Sequence, residues 1–169
     1  IENIVNEDAE ISIDINTEYK GIGADFIALI SKYIDKPIEL VPTKKWSESL
    51  QNIKDRKCDI LPVAINVPSR KDYLNFTEPY VKEPFVVVTK LDKFFIEDVT
   101  GLNNKKIAVK EDFALIELLN EKNPSIQLVK VKNNKEGLQR VSSGELYGYV
   151  DTLSAVAYAI QKDSLFDLK

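Results

Sequence analysis

An arginine delivered by a turn is the first residue in this chain whose placement suggests chemistry. In the stretch Asp59 to Tyr80, DILPVAINVPSRKDYLNFTEPY, the apolar residues Ile60, Leu61, Val63 and Ala64 lead to Pro68 and Ser69, present Arg70, and close on Phe76, Glu78, Pro79 and Tyr80. A strand that ends by setting a guanidinium in a loop offers a fixed positive charge to a small anion. The plainer role of a lone turn arginine is a solvated charge, and the surrounding pattern favours the ligand role. Asp151 is the second such residue, directly after the strand-like run Tyr147 to Val150. It serves equally well as a cap for the helix that follows, and the two roles do not exclude each other.

Other chemistries lack their residues. The 169 residues include no histidine, and Cys58 is the single cysteine. Zinc or haem ligation and a histidine-dependent triad therefore have nothing to use, and no cofactor or metal is expected. Glu78 and Glu83 are two carboxylates close in sequence, but neither helical register nor a nucleophile accompanies them, so an enzyme is not expected. Acidic residues outnumber basic ones by 27 to 23, and no basic stripe interleaved with aromatics is present, which argues against nucleic acid as a partner. One cysteine forbids an internal disulfide, a state that suits cytosol and periplasm alike, and Cys58 reads as a small buried hydrophobe. No apolar run approaches the ~18 residues of a membrane span, and no signal peptide is visible. With no methionine and Ile1 at its start, the chain reads as a mature or excised piece of something longer.

The elements that must position Arg70 and Asp151 alternate along the chain. Ile1 to Val5 and the alternating Ile11, Ile13 and Ile15 are strand candidates. Gly21 and Gly23 precede a helix carrying Phe26, Ile27, Leu29, Ile30, Tyr33 and Ile34, with Asp25 in its first turn. Pro37 stops it, Ile38 to Val41 reads as a strand, and Thr43 is placed to cap a helix of Trp46, Leu50 and Ile53. Asp59 to Ala64 and Phe85 to Thr89 are further strands, and the charged passage Lys90 to Asp98 marks a boundary. Beyond it, Lys106 to Val109 is a strand and Asp112 caps a helix of Leu115, Ile116, Leu118 and Leu119. Ile126 to Val131 is a strand, and Asn133 with Glu136 forms a capping box for a helix that ends at Gly144. Tyr147 to Val150, a helix with Val156, Ala157 and Ile160, and a last short strand at Leu168 complete the series. Strands separated by helical stretches indicate βαβ units and mostly parallel sheets, in two sets joined by one crossing. Ligands of such sheets bind at the carboxyl ends of strands, where Arg70 and Asp151 are expected to face one another across a cleft.

The order Gly21, Asp25 and Trp46, then CDILPVAINVPSRKDYLNFTEPY, KKIAVKEDFALIELL and SSGELYGYVDTLSAVAYAIQK, resembles the family 3 extracellular solute-binding domain. This is the type II periplasmic binding protein or Venus flytrap fold, and the resemblance is to versions that serve as sensor domains of bacterial histidine kinases and related membrane receptors. It implies an α/β, two-lobed fold, each lobe a mostly parallel sheet flanked by helices, with lobe 1 over residues 1–89 and lobe 2 over residues 90–169. In the family the chain crosses back after the second lobe. Here that return segment is expected to be absent after Lys169, leaving lobe 1 to be completed by further sequence or by an exchanged segment in a homodimer.

Function follows as an expectation from the same resemblance. It implies a non-catalytic periplasmic or extracytoplasmic domain that binds an amino acid or related carboxylate and passes an open and closed bias to a membrane receptor. A free solute-binding protein serving an ABC permease is the second reading. Arg70 stands where amino-acid-binding members hold the ligand carboxylate, and Asp151 where they hold its ammonium. Trp46, Tyr80 and Ile11 to Ile15 are placed to wall the pocket, with core packing the plainer role for Trp46. Two departures stand out: the family's Gly-Thr pair corresponds to Asp112 and Phe113, and the threonine expected three residues before the arginine is Val67. A standard α-amino acid is therefore one candidate among several, beside a cationic or aromatic amino acid, another carboxylate, or a ligand held by backbone amides at helix starts.

Overall fold

Residues 21–169 are described by the computed structural model, and they divide between Phe76 and Thr77 into two compact units. The strand candidates Ile1 to Val5 and Ile11 to Ile15 lie outside the described residues. In the first unit, helix α1 (Ile22–Ile30) starts after Gly21, whose φ of 109° belongs to the left-handed region that glycine adopts without steric cost. Helix α2 (Trp46–Lys54) buries Ser49 and Ile53 on one face, four residues apart as helical spacing requires.

Several local expectations of the first unit change. Thr43 does not cap α2, since its hydroxyl bonds the buried Ser49 hydroxyl at 2.7 Å. The start of the helix is held instead by Glu48, whose carboxylate accepts the Lys44 amide at 2.9 Å. Of the expected strand Ile38 to Val41, only Val41 forms a bridge. Asp59 to Ala64 forms no strand, because Pro62 lacks a ladder donor and the backbone bends at Pro62 and Val63.

The second unit is built on a four-stranded sheet of β1 (Phe85–Thr89), β2 (Lys106–Lys110), β3 (Gln127–Val131) and β4 (Gly148–Thr152), ordered β1-β4-β2-β3. Strand β2 is parallel to both neighbours, and β1 runs antiparallel to β4. The sheet is therefore mostly parallel, with one antiparallel edge. Pairing with β4 draws Val86 and Val88 of β1 against the second unit's core, so β1 lies in the unit that begins at Thr77.

Helices cover both faces of this sheet. Helices α4 (Asn134–Ser142) and α5 (Leu153–Lys162) pack over Val88, Ala108, Val131 and Tyr149. Leu115 and Leu119 of α3 (Leu115–Lys122) pack over Ile107, Val109 and Val150 on the other face. Covered on both faces, Ile107, Ala108 and Val109 read as a continuous apolar run.

Caps follow the sequence at one helix and depart from it at another. The Asn133 side chain accepts the Glu136 amide at 2.9 Å, while Glu136 reaches back to the Lys132 amide at 2.9 Å. Gly144, with φ of 81°, ends that segment. Asp112 does not cap α3: the N-cap is Ala114, and Asp112 holds a left-handed φ of 60° two residues earlier. After α5 the chain returns beside β1, where Lys90 bridges Leu168 and Thr89 exchanges backbone bonds of 2.9 and 2.8 Å with Lys169.

Candidate functional site

In the first unit, Val67 is buried and anchors the turn that delivers the arginine. Pro68 opens a short 3₁₀ turn, Pro68–Arg70, where its fixed φ suits the first position and its missing N–H costs nothing. The Arg70 amide bonds the Val67 carbonyl at 3.1 Å, and the Arg70 carbonyl accepts from Leu74 at 2.9 Å, so the backbone is fixed on both sides. The side chain is buried, only 5% exposed, instead of being a solvated loop charge. One guanidinium nitrogen donates to the Ile65 carbonyl at 3.2 Å, and the group lies 5.4 Å from the centre of the Trp46 ring. A cation over an aromatic face and a backbone acceptor are what keep a guanidinium folded inward.

The second unit's charged centre follows from strand register. Ala108 of β2 pairs with Tyr149 of β4, so Lys110 and Asp151, each two residues further on, share the face covered by α4 and α5 at the strands' carboxyl ends. Lys110 Nζ lies 3.1 Å from Asp151 Oδ2. The Tyr149 hydroxyl reaches the same oxygen at 2.8 Å, and the Thr152 amide donates to Oδ1 at 2.7 Å. Tyr149 is fully buried, with its hydroxyl also against the side-chain amide of Asn134 at the start of α4. The ring fits there because residue 137 is glycine: a Cβ at Gly137 would stand 2.5 Å from Tyr149 Cδ2.

One aromatic ring stands by the lysine, and a second packs against the first. Lys110 Nζ is 5.1 Å from the centre of the Phe113 ring, and Phe113 meets Phe85 edge-on with centres 6.0 Å apart. The first turn of α5 is held from the segment before β1, where the Pro84 carbonyl takes the Leu153 amide at 2.9 Å and Glu83 takes the Ser154 amide at 3.0 Å. Glu83, half of the carboxylate pair noted in the sequence, is thus a helix partner. Thr152, not Asp151, occupies the N-cap position of α5.

The structure therefore brings Arg70 and Trp46 together in the first unit, and Asp151 and Phe113 together, through Lys110, in the second. Tyr80 lies in the segment leading to β1, 43% exposed, and burial of its remaining surface pushes its hydroxyl pKa above the ordinary value. Lys110, which the sequence reading did not single out, is the residue that changes the chemistry of this centre. Its signal was present: one cation closes the apolar run Ile107 to Val109, at the carboxyl end of a strand in a mostly parallel sheet.

Comparison with known proteins bears on the whole chain. Residues 6–162 match the bacterial extracellular solute-binding proteins, family 3. The chain belongs to this family. It is similar to the virulence sensor protein BvgS of Bordetella pertussis (strain Tohama I), with 23% identity over 145 residues, covering 86% of this chain and 12% of BvgS. It is also similar to the probable amino-acid-binding protein YxeM of Bacillus subtilis (strain 168), 25% identical over 153 residues that make up 89% of this chain and 58% of YxeM. Among solved structures, the periplasmic VFT2 domain of B. pertussis BvgS superposes with a TM-score of 0.77 at 22% identity, over 92% of this chain and 66% of that one. Likeness at this identity establishes the Venus flytrap fold expected from the sequence. As a member of an extracellular family, the domain is extracytoplasmic.

Proposed function

We propose that this chain is the ligand-sensing extracytoplasmic module of a membrane receptor of the sensor-kinase type, and that its ligand is a small molecule bearing a carboxylate, an amino acid or a related acid. The observation that carries the reading is the match to a sensor protein along 86% of this chain and only 12% of that protein, the signature of one module in a longer receptor. Arg70 supports the ligand chemistry. Its guanidinium lies over the Trp46 face and donates to the Ile65 carbonyl, on a turn fixed by backbone bonds on both sides, and a planar fork of donors matches the geometry of a carboxylate. Each charge-assisted hydrogen bond contributes about 1.5–3 kcal/mol, enough to bias an equilibrium between two conformations of which one binds better.

Similarity to YxeM favours a second reading, a solute-binding protein that delivers its ligand to a permease. The coding sequence around this chain separates the two, because a membrane span followed by a kinase module belongs to the first and permease neighbours belong to the second. The ligand assignment is tested by thermal-shift screening against amino acids and small carboxylates, on the wild type and on Arg70→Ala and Arg70→Met. Ligand-induced stabilisation should disappear in both variants. Stabilisation of equal size in a folded Arg70 variant overturns the assignment.

A further inference from the structure

We infer that Phe85, Phe113 and Leu153 form an apolar subsite at the carboxyl edge of the second unit's sheet, and that the ligand is an acid with an apolar body, aromatic or aliphatic. The inference rests on the reading of the chain as a carboxylate binder, and it narrows the ligand class by setting small and polar-bodied acids aside.

Register places the three side chains at one edge. Phe85 opens β1 opposite Thr152, the last residue of β4, and Phe113 follows three residues after the end of β2. Because β2 and β4 are parallel, both rings stand where the parallel strands end, the edge at which open α/β sheets receive ligands. Leu153 joins them there, since its amide bonds the carbonyl of Pro84, the residue before Phe85, at 2.9 Å. The rings meet edge-on, 6.0 Å between centres and 76° between planes, as a packed pair and not as two independent surface residues. Phe113 also packs against the core that includes Leu115 and Val150. Capping that core accounts for the inner side of Phe113, but not for Phe85 and Leu153, which keep 38% and 49% of their surface in solvent. Single apolar side chains scattered on a surface are ordinary, whereas three gathered at a ligand edge are what small-molecule sites are lined with. Such a wall discriminates by the apolar area a ligand covers, with a gain of about fourfold in affinity for each methylene fully buried.

The test is a thermal-shift titration of the whole chain with two series of acids: acetate, butanoate, hexanoate and 3-phenylpropanoate, and glycine, alanine, leucine and phenylalanine. In at least one series the concentration that gives half the full rise in Tm should fall as the apolar body grows, by roughly two- to fourfold per added methylene. Phe85→Ser combined with Leu153→Ser changes two exposed positions and should abolish that dependence. Phe94→Ser, at an exposed ring beyond the other end of β1, should leave it unchanged. A response of equal size across each series, a dependence that survives in the folded double variant, or no response to any acid overturns the inference. Hexanamide and 3-phenylpropanamide check the carboxylate separately. An amide that stabilises as well as its acid, with the effect lost in the double variant, rejects the carboxylate reading and supports the subsite. Acids that stabilise without regard to the size of their apolar body support that reading and reject the subsite.

Discussion

Arg70 and Asp151 were singled out by the same feature, a charge at the end of an apolar run, and the structure treats them differently. Arg70 is held over an indole ring and bonded to a backbone carbonyl. Asp151 is neutralised by its own neighbour. The indole's contribution can be measured. Trp46→Leu keeps an apolar side chain on α2 but removes the ring face, and a cation over such a face contributes about 0.5–2 kcal/mol depending on how far it is desolvated. A double-mutant cycle of Trp46→Leu with Arg70→Met, read by denaturant unfolding, should give a coupling energy in that range. Coupling indistinguishable from zero shows that the ring is only a neighbour. The sequence carried the residue types of this centre, yet nothing in it said that Trp46 and Arg70 would touch. Lys110 and Asp151 are 41 positions apart and meet only through the pairing of β2 with β4, which one sequence does not display.

At the level of elements, legibility followed periodicity. Strands β1 to β4 and helices α3 to α5 were visible because apolar alternation and helical spacing are strong there, and Asn133 with Glu136 announced the start of α4. The antiparallel edge was not visible, since the apolar run Phe85 to Thr89 suits either direction of pairing. Asp112 was misread as a cap because aspartate favours two positions for different reasons, helix starts and left-handed turns, and here the turn prevails. The Asp59 to Ala64 run looked like a strand by composition, and Pro62 within it was the contrary signal. Gly137 shows how a helix sets the site: its bare face admits the Tyr149 ring whose hydroxyl bonds Asp151. Gly137→Ala gains up to about 1 kcal/mol of helix propensity. Overpacking against a buried ring costs about 1–3 kcal/mol, so the substitution should destabilise on balance. Thermal unfolding reads the sign directly, and a Tm at or above wild type means that the ring has room to move.

For the whole molecule, the division after Phe76 has an energetic meaning. Every strand of the sheet, the helices on both of its faces and both groups of buried apolar residues belong to residues 77–169. A unit of roughly 90 residues is well above the ~40 below which a core usually needs a staple, and its most buried strand is covered on two sides. Residues 77–169 expressed alone should therefore unfold in one cooperative transition, with a circular dichroism spectrum of mixed helix and strand. The Lys110 and Asp151 pair ties β2 to β4 inside this unit, so Lys110→Ala should lower the transition of the excised unit. Gradual, non-cooperative melting of the excised unit would show that its core depends on the first 76 residues. A cooperative transition that Lys110→Ala leaves in place in the excised unit, while shifting it in the whole chain, would show instead that the ion pair acts through the first unit.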